Sequence, residues 1–380
     1  MIFLTKKIKV LHVAEAAGGV EKYLEDLFKY SDSDKFENIL ICSQNYECQK
    51  FKPLVKKIIT IKMAHQVDVI LDLKAESTIR KVIQQENPDI VYAHSSKAGA
   101  LARIANIGIN NKVIYNPHGW AFNEDKIGVK KQVKHILFKN IEKIETRFTD
   151  KIICISSFEK KTALNNHIAP EEKLQVIYSG IDFDNFRQVS KVRKNYLKIP
   201  ENSFIVGMVA RITETKAPDI FIDAAKIIKK AIPNAFFLLV GDGDMRSIIE
   251  KKIKKYNLTD SCVITGWVDD VSDYMQLMDV GTLLSRWEGF GLVLPEYMYS
   301  RVPIVATNIC GIPDVIKNNY NGILVKVNDS DEVANAVIKF YKNEDFKQKI
   351  VKNAAKDVLK RFNVERTVRQ TEHIYMTLIK

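Results

Sequence analysis

Apolar and polar positions follow two alternating rhythms along this chain. Short aliphatic or β-branched runs, bounded by Gly, Asn, Asp or Ser, have the character of buried strands. Between them, apolar residues recur at three- and four-residue spacing, the period of an amphipathic helix. The first half predicts strands over 9–14, 38–42, 57–62, 89–94, 112–116, 151–155 and 174–178, and helices over 20–30, 71–85, 97–107 and 129–148. A polar, basic stretch over 184–201 breaks the rhythm and reads as a linker. A second series then predicts strands over 204–210, 235–240, 262–265, 279–284, 303–306 and 323–325, with helices over 217–231, 245–256, 330–341 and 345–361. Strands alternating with helices make an α/β protein with largely parallel sheets. Two such series predict two doubly wound, Rossmann-like domains facing each other across a cleft.

Where the strand 279–284 ends, Ser285-Arg286-Trp287-Glu288-Gly289-Phe290-Gly291-Leu292-Val293-Leu294-Pro295-Glu296 follows. The carboxyl ends of strands are where open α/β sheets bind ligands. Gly289 and Gly291 permit a sharp turn and a close approach of a ligand to the backbone. Pro295 suits the first position of a helix. The expectation is therefore a loop carrying Glu288 and a helix opened by Glu296. Free N–H groups at a helix start favour phosphate, whereas carboxylates only accept hydrogen bonds and suit sugar hydroxyls. Taken alone, the segment equally fits a first-turn charge at Glu296 and a solvated loop residue at Glu288.

Other strand ends offer complementary groups. Gly18-Gly19 lies between the first strand and a helix, as a phosphate- or sugar-facing loop or a plain tight turn. It is not G-x-G-x-x-G, so a nicotinamide dinucleotide site is not supported. Arg211 and Lys216 follow the strand 204–210; two cations there would clamp a diphosphate, or stand solvated. Gly241-Asp242-Gly243 follows the strand 235–240 and reads as a nucleotide-binding turn or a simple glycine turn. The D-x-D triplets at 182–184 and 242–244 are too short to indicate magnesium. His118, just past a strand in Asn116-Pro117-His118-Gly119-Trp120, is a candidate sugar contact or a hydrogen-bonded structural residue; His94 has the same reading with less support. The helix 129–148 carries Val129, Val133, Ile136, Leu137, Ile141, Ile144 and Phe148 at helical spacing. Lys126, Lys130, Lys131, Lys134, Lys139, Lys143 and Arg147 lie mainly elsewhere. The favoured reading packs this stripe on the sheet, with the lysines adding weak attraction to an anionic membrane.

Composition narrows the partners. With 380 residues, 46% hydrophobic and 27% charged, the chain reads as a globular protein of two ordinary domains. No apolar run approaches the ~18 residues of a membrane span. The apolar start followed by Lys6, Lys7 and Lys9 has the wrong order for a secretory signal, so a cytoplasmic location is expected. The net charge of +12 is spread evenly: residues 1–190 and 191–380 each hold 29 basic and 23 acidic residues. That excess favours anionic ligands or an anionic membrane surface, and no nucleic-acid module accompanies it. Five scattered cysteines, Cys42, Cys48, Cys154, Cys262 and Cys310, contain no C-x2-C pair and read as free thiols.

In their order and spacing these motifs resemble the retaining glycosyltransferases of family 4, in the GT-B superfamily. The resemblance runs through Gly18-Gly19-Val20-Glu21, His118-Gly119, Ser156-Ser157, Tyr178-Ser179-Gly180-Ile181-Asp182, residues 211–216, Gly241-Asp242-Gly243 and Gly266-Trp267-Val268. It continues through the E-x7-E segment and Gly311-Ile312-Pro313-Asp314. His94-Ser95-Ser96-Lys97-Ala98-Gly99 resembles a subset that builds bacterial surface polysaccharides. The resemblance implies that Glu288 contacts donor-sugar hydroxyls and Glu296 the ribose. Arg211 and Lys216 would hold the diphosphate, helped by N–H groups of Phe290, Gly291, Leu292 and Val293. Gly19 would leave room near the diphosphate, His118 would lie near the sugar's O6, and Asp242 and Val268 near the base and ribose. No divalent metal or other cofactor is implied. The domains would divide at 1–186 and 187–361, with a C-terminal helix over 362–380 returning to the first. Three departures stand out: Ser179 for a commoner Asn, Ala217 for Gly and Cys310 for Gly.

The expected reaction is transfer of a sugar from a nucleotide sugar, a UDP-sugar first, to an undecaprenyl-diphosphate-linked saccharide on the inner membrane face, building capsule, exopolysaccharide or O-antigen. Two alternatives stand beside it: a non-catalytic GT-B subunit that binds the nucleotide sugar, and an epimerase of the UDP-sugar.

Overall fold

A computed structural model of the chain describes residues 6–15, 18–63, 68–123, 129–186 and 192–380. The chain divides into two compact units, one of residues 1–179 with 364–380, the other of residues 180–363. The crossings thus fall near 179 and 363, not at 186 and 361. Within the second unit Ile181 donates its N–H to the Phe362 carbonyl at 2.9 Å and bridges in parallel to Asn363. The first and last segments of that unit are therefore tied together, which sets the boundary before the polar stretch.

The first unit holds a seven-stranded parallel sheet in the order β3-β2-β1-β4-β5-β6-β7. The strands are β1 (Ile8–Ala14), β2 (Phe36–Ser43), β3 (Lys57–Ile61), β4 (Ile90–His94), β5 (Lys112–Asn116), β6 (Lys151–Cys154) and β7 (Leu174–Val176). On β1, Leu11 and Val13 face one core with helices Val69–Glu86 and Ser96–Ala105. Val10 and Ala14 face the other, under helices Gly19–Tyr30 and Val364–Ile379. A sheet buried on both faces explains why its strands read as continuous apolar runs.

The second unit holds six parallel strands in the order β10-β9-β8-β11-β12-β13. They are β8 (Phe204–Val209), β9 (Ala235–Val240), β10 (Cys262–Ile264), β11 (Val280–Leu283), β12 (Ile304–Thr307) and β13 (Ile323–Val325). In each sheet the winding direction reverses once, between β1 and β4 and between β8 and β11, and such switch points are where ligands bind.

Three expectations change. A helix over Ser157–Asn165 lies between β6 and β7, where the sequence pattern marked no helix range. The helix of the E-x7-E segment spans Val293–Tyr299, so Pro295 is its third residue and Glu296 its fourth. The first N–H groups of any helix lack an intrahelical acceptor, so proline is tolerated there too. The stripe on helix Val129–Glu145 is not buried: Val133, Ile136, Leu137 and Ile144 are 59%, 57%, 54% and 57% exposed. Phe148 is exposed just beyond it, and Ile141 is half-buried. This helix is instead anchored by Glu142 and Glu145, which pair with the buried Arg103 at 2.9 and 2.5 Å. Lys126 lies outside the described residues.

Candidate active site

The loops after β8 and β9 interlock. Ile212 donates its N–H to the Asp242 carbonyl at 2.9 Å, and Met245 donates to the Ile212 carbonyl at 3.0 Å. The fit needs glycine: a Cβ at Gly241 would stand 2.1 Å from the Ala210 carbonyl oxygen, and one at Gly243 2.4 Å from that of Ile212. Gly241 also has φ +137, which side chains rarely adopt. This support holds Arg211 at the end of β8, with its side chain exposed. The Asp242 carboxylate accepts from the Gly243 N–H at 2.8 Å and from Arg246 at 2.7 Å. Those two bonds, the backbone one first, hold its pKa below the usual carboxylate range. Asp182 likewise accepts from the Asp184 N–H at 3.0 Å. Both D-x-D triplets therefore build turns, and no cluster of three or more His, Cys, Asp or Glu suited to a metal occurs among the described residues. Gly266 bridges to Gly241, which places the half-buried Val268 two residues beyond that bridge. The Trp267 indole between them is 70% exposed, a feature the sequence reading passed over.

The loop after β11 meets the loop after β8. Glu288 is 8% exposed, ion-paired with the Lys216 ammonium, and accepts from the Ser285 hydroxyl at 2.9 Å. It is neither solvated nor apart from the cation: the two charges form one unit. Arg286 fastens the loops, donating from its backbone to the Thr215 carbonyl at 2.8 Å and from its side chain to Asp219 at 2.7 Å, the Glu214 carbonyl at 2.6 Å and Asn328 at 2.8 Å. The Gly311 N–H donates to the Glu288 carbonyl at 3.0 Å. Ala217 and Cys310, two of the three departures, have φ of 54° and 50°. Both occupy left-handed conformations where glycine carries no steric cost. Gly291, with φ +82, abuts Leu283, where a Cβ would come to 2.8 Å. Phe290 is core, its ring 5.6 Å from that of Phe362, so only its backbone is available to a ligand. Leu292 and Val293 stand at the start of the helix, with Glu296 half-buried in its first turn.

In the first unit, Gly18 and Gly19 lead into helix Gly19–Tyr30, and a Cβ at either would meet nothing within 4 Å. Gly18 needs to be glycine for its φ of +79, while Gly19 leaves open space. His118 follows β5 with φ 49°, its N–H donating to the Asn116 side-chain oxygen at 3.0 Å. Its Nε2 is 3.2 Å from Nδ1 of His94, whose Nε2 is 3.2 Å from Nδ1 of His12, whose Nε2 is 3.1 Å from Oδ1 of Asn38. Burial pushes His12 and His118 down to about 3, and His94 well below the ordinary histidine range. All three rings are therefore neutral at physiological pH. Below the His118 loop, Trp120 donates to the Glu159 carbonyl at 3.1 Å, and the Glu159 carboxyl accepts from the Ile155 N–H at 2.9 Å. His12, Asn38 and Glu159 escaped the sequence reading. The available signal was only that His12 and His94 each fall within a predicted strand; the sheet sets those strands side by side.

Two family models tile the chain: "Glycosyltransferase Family 4" over residues 17–185 and "Glycosyl transferases group 1" over residues 190–357. This chain is a family 4 glycosyltransferase. The transferase is 28% identical, over 98% of both chains, to an Escherichia coli enzyme named UDP-Gal:alpha-D-GlcNAc-diphosphoundecaprenol alpha-1,3-galactosyltransferase. It is 25% identical, over 90% of both, to the capsular polysaccharide biosynthesis glycosyltransferase CapM of Staphylococcus aureus. Among solved structures, Anabaena HepE in complex with UDP and glucose matches 97% of this chain and 100% of its own, with a TM-score of 0.82 at 21% identity. The fold is GT-B, and the activity is that of a hexosyltransferase.

Proposed function

We propose that the transferase moves a hexosyl or N-acetylhexosaminyl group from a UDP-sugar to a hydroxyl of an undecaprenyl-diphosphate-linked saccharide, with retention at the anomeric carbon. The observation that carries this reading is the Lys216–Glu288 pair, which sets a cation for phosphate beside a carboxylate for sugar hydroxyls at the switch point of the second sheet. The E. coli relative's name, a UDP-galactose enzyme acting on a diphosphoundecaprenol-linked sugar, supports the donor and acceptor classes.

In this reading Arg211, Lys216 and the N–H groups of Phe290, Gly291, Leu292 and Val293 bind the diphosphate. As the C1–O bond loosens, the two cations neutralise the charge growing on the leaving UDP, so the reaction needs no resident metal. Glu288 orients the sugar and Glu296 the ribose, with Asp242 and Val268 beside the base. In the first unit, Gly18, Gly19 and His118 are the substrate-facing residues of this reading, His118 through a sugar hydroxyl. The acceptor hydroxyl attacks from the face the UDP leaves, and the departing phosphate takes its proton.

UDP release from UDP-sugars with undecaprenyl-diphosphate-linked acceptors, in EDTA, tests the whole reading. Release should require the acceptor, and the product should carry an α-linked sugar from an α-linked donor. Lys216→Ala and Arg211→Ala should each lower kcat/KM by on the order of a hundredfold or more. A loss within twofold would refute the clamp. Conversion of the donor without acceptor would assign an epimerase instead, and binding without turnover a silent subunit.

A further inference from the structure

The chain of side chains ending at His118 has a direction, and the direction decides what His118 can offer a substrate. It crosses one face of the first sheet: Asn38 on β2, His12 on β1, His94 at the end of β4, and His118 just past β5. Helices Gly19–Tyr30 and Val364–Ile379 cover that face. The Phe28 and Tyr23 rings stand edge-on to His12 and His118, each at 4.8 Å. His12 and His94 are fully buried, and His118 is half-buried.

The far end fixes the polarity. The Glu372 carboxyl accepts from the Asp32 N–H at 2.8 Å and from the Ser31 hydroxyl at 3.1 Å. With its proton so directed, the Ser31 oxygen accepts from the Asn38 amide nitrogen at 3.2 Å. That leaves the Asn38 oxygen facing His12, and an amide oxygen only accepts. His12 must then carry its proton on Nε2 and present a bare Nδ1. A neutral imidazole has one donor and one acceptor. His94 therefore donates from Nε2 and is bare at Nδ1, and His118 in turn donates from Nε2.

We infer that Asn38, His12 and His94 are positioning residues that hold His118 in its Nε2–H tautomer, so that its bare Nδ1 accepts a hydrogen bond from a sugar hydroxyl. The tautomer follows from the chain alone. The hydroxyl contact rests on the transfer reading given above. Buried networks of this kind are stable only when every member is satisfied, so reversing one link reverses them all.

Long-range 1H–15N NMR of the full chain with labelled histidine tests the tautomer directly, with single substitutions assigning the seven histidines. His12, His94 and His118 should all be Nε2-protonated at neutral pH. An Nδ1-protonated or doubly protonated His118 would overturn the inference, and this measurement needs no variant to remain active. Asn38→Leu would face the His12 N–H with no acceptor. An orphaned donor is costlier than a bare ring nitrogen, so the chain should flip and leave His118 protonated on Nδ1. The kcat should then fall on the order of tenfold with donor KM within about twofold, since a wrong tautomer impairs catalysis more than binding. Asn38→Asp, which keeps an acceptor oxygen there, should restore the Nε2–H form and most of kcat. A flipped His118 with unchanged kcat would leave the tautomer assignment standing and refute its contact with substrate. A His118 that keeps its tautomer in Asn38→Leu would refute the control by Asn38.

Discussion

Glu159 lies fully buried under the loop that bears His118, its carboxyl bonded to the Ile155 N–H. Burial pushes it up from 4.5 to about 8, against the lowering effect of its bonds to the Ile155 and Gly119 backbone. The sign of its effect on stability follows. Below about pH 4.5 the folded and unfolded chains both hold the proton, and the site carries no penalty. As pH rises the unfolded chain ionises first, so stability is lost progressively until the folded carboxyl ionises near 8. Glu159→Gln keeps an acceptor for the backbone and removes the titration. Its melting temperature should lie nearest the parent's near pH 4 and exceed it by a growing margin toward pH 8. Parallel thermal melts across that range check this, and a margin independent of pH would contradict it. The Lys216–Glu288 pair shows what one residue's sequence context conceals. The two are 72 positions apart, so neither neighbourhood reveals that the carboxylate is neutralised and buried.

Loops at strand ends act as interlocking elements, and their glycines are the fitted surfaces. Gly243→Ala would drive a methyl group into the Ile212 carbonyl, a backbone contact with no flexible side chain to yield. The loop bearing Arg211 must shift, at a cost of about 1–3 kcal/mol. We expect a lowered melting temperature together with a raised KM for the UDP-sugar; Gly19→Ala, whose methyl meets open space, should leave the melting temperature near the parent's. All the strands were legible: most are buried parallel strands that read as continuous apolar runs, and the edge strand Lys57–Ile61 shows instead in its β-branched Ile58, Ile59 and Thr60. Helix Ser157–Asn165 was not, because its buried face holds Glu159 and Thr162 beside Ala163 and so lacks an apolar period. The stripe on helix Val129–Glu145 was legible as amphipathic but not as exposed. Periodicity reports an apolar face and says nothing of whether the sheet or the solvent receives it. In the same way the sequence could place His12 and His94 within strands, but only the folded sheet sets those strands side by side and brings His118 into line with them.

At the scale of the whole molecule, the charge and the exposed apolar face belong together. No helix among the described residues is long and apolar enough to cross a membrane, yet the proposed acceptor is a membrane lipid. The net charge of +12 gives attraction to an anionic surface without specificity. The first unit adds an apolar ridge of Val133, Ile136, Leu137 and Ile144, with Arg147 and Phe148 exposed at its end and Lys139 and Lys143 half-buried along it. If the protein meets the membrane at its proposed acceptor, this helix would lie in the lipid interface with its apolar residues inserted and its cations at the headgroups. Charge alone would make binding fully salt-sensitive, whereas insertion leaves a residue that salt does not remove. The full-length protein should therefore sediment with vesicles containing anionic lipid, weakly with neutral ones, and retain part of its binding at high salt. Replacing Ile136 and Leu137 together by Glu should lower the affinity for anionic vesicles by on the order of tenfold or more, since two inserted side chains are lost and two like charges are added. Turnover of a short, water-soluble acceptor should be unchanged. Equal sedimentation of parent and variant would assign the attraction to the diffuse charge and leave the ridge without a role at the membrane.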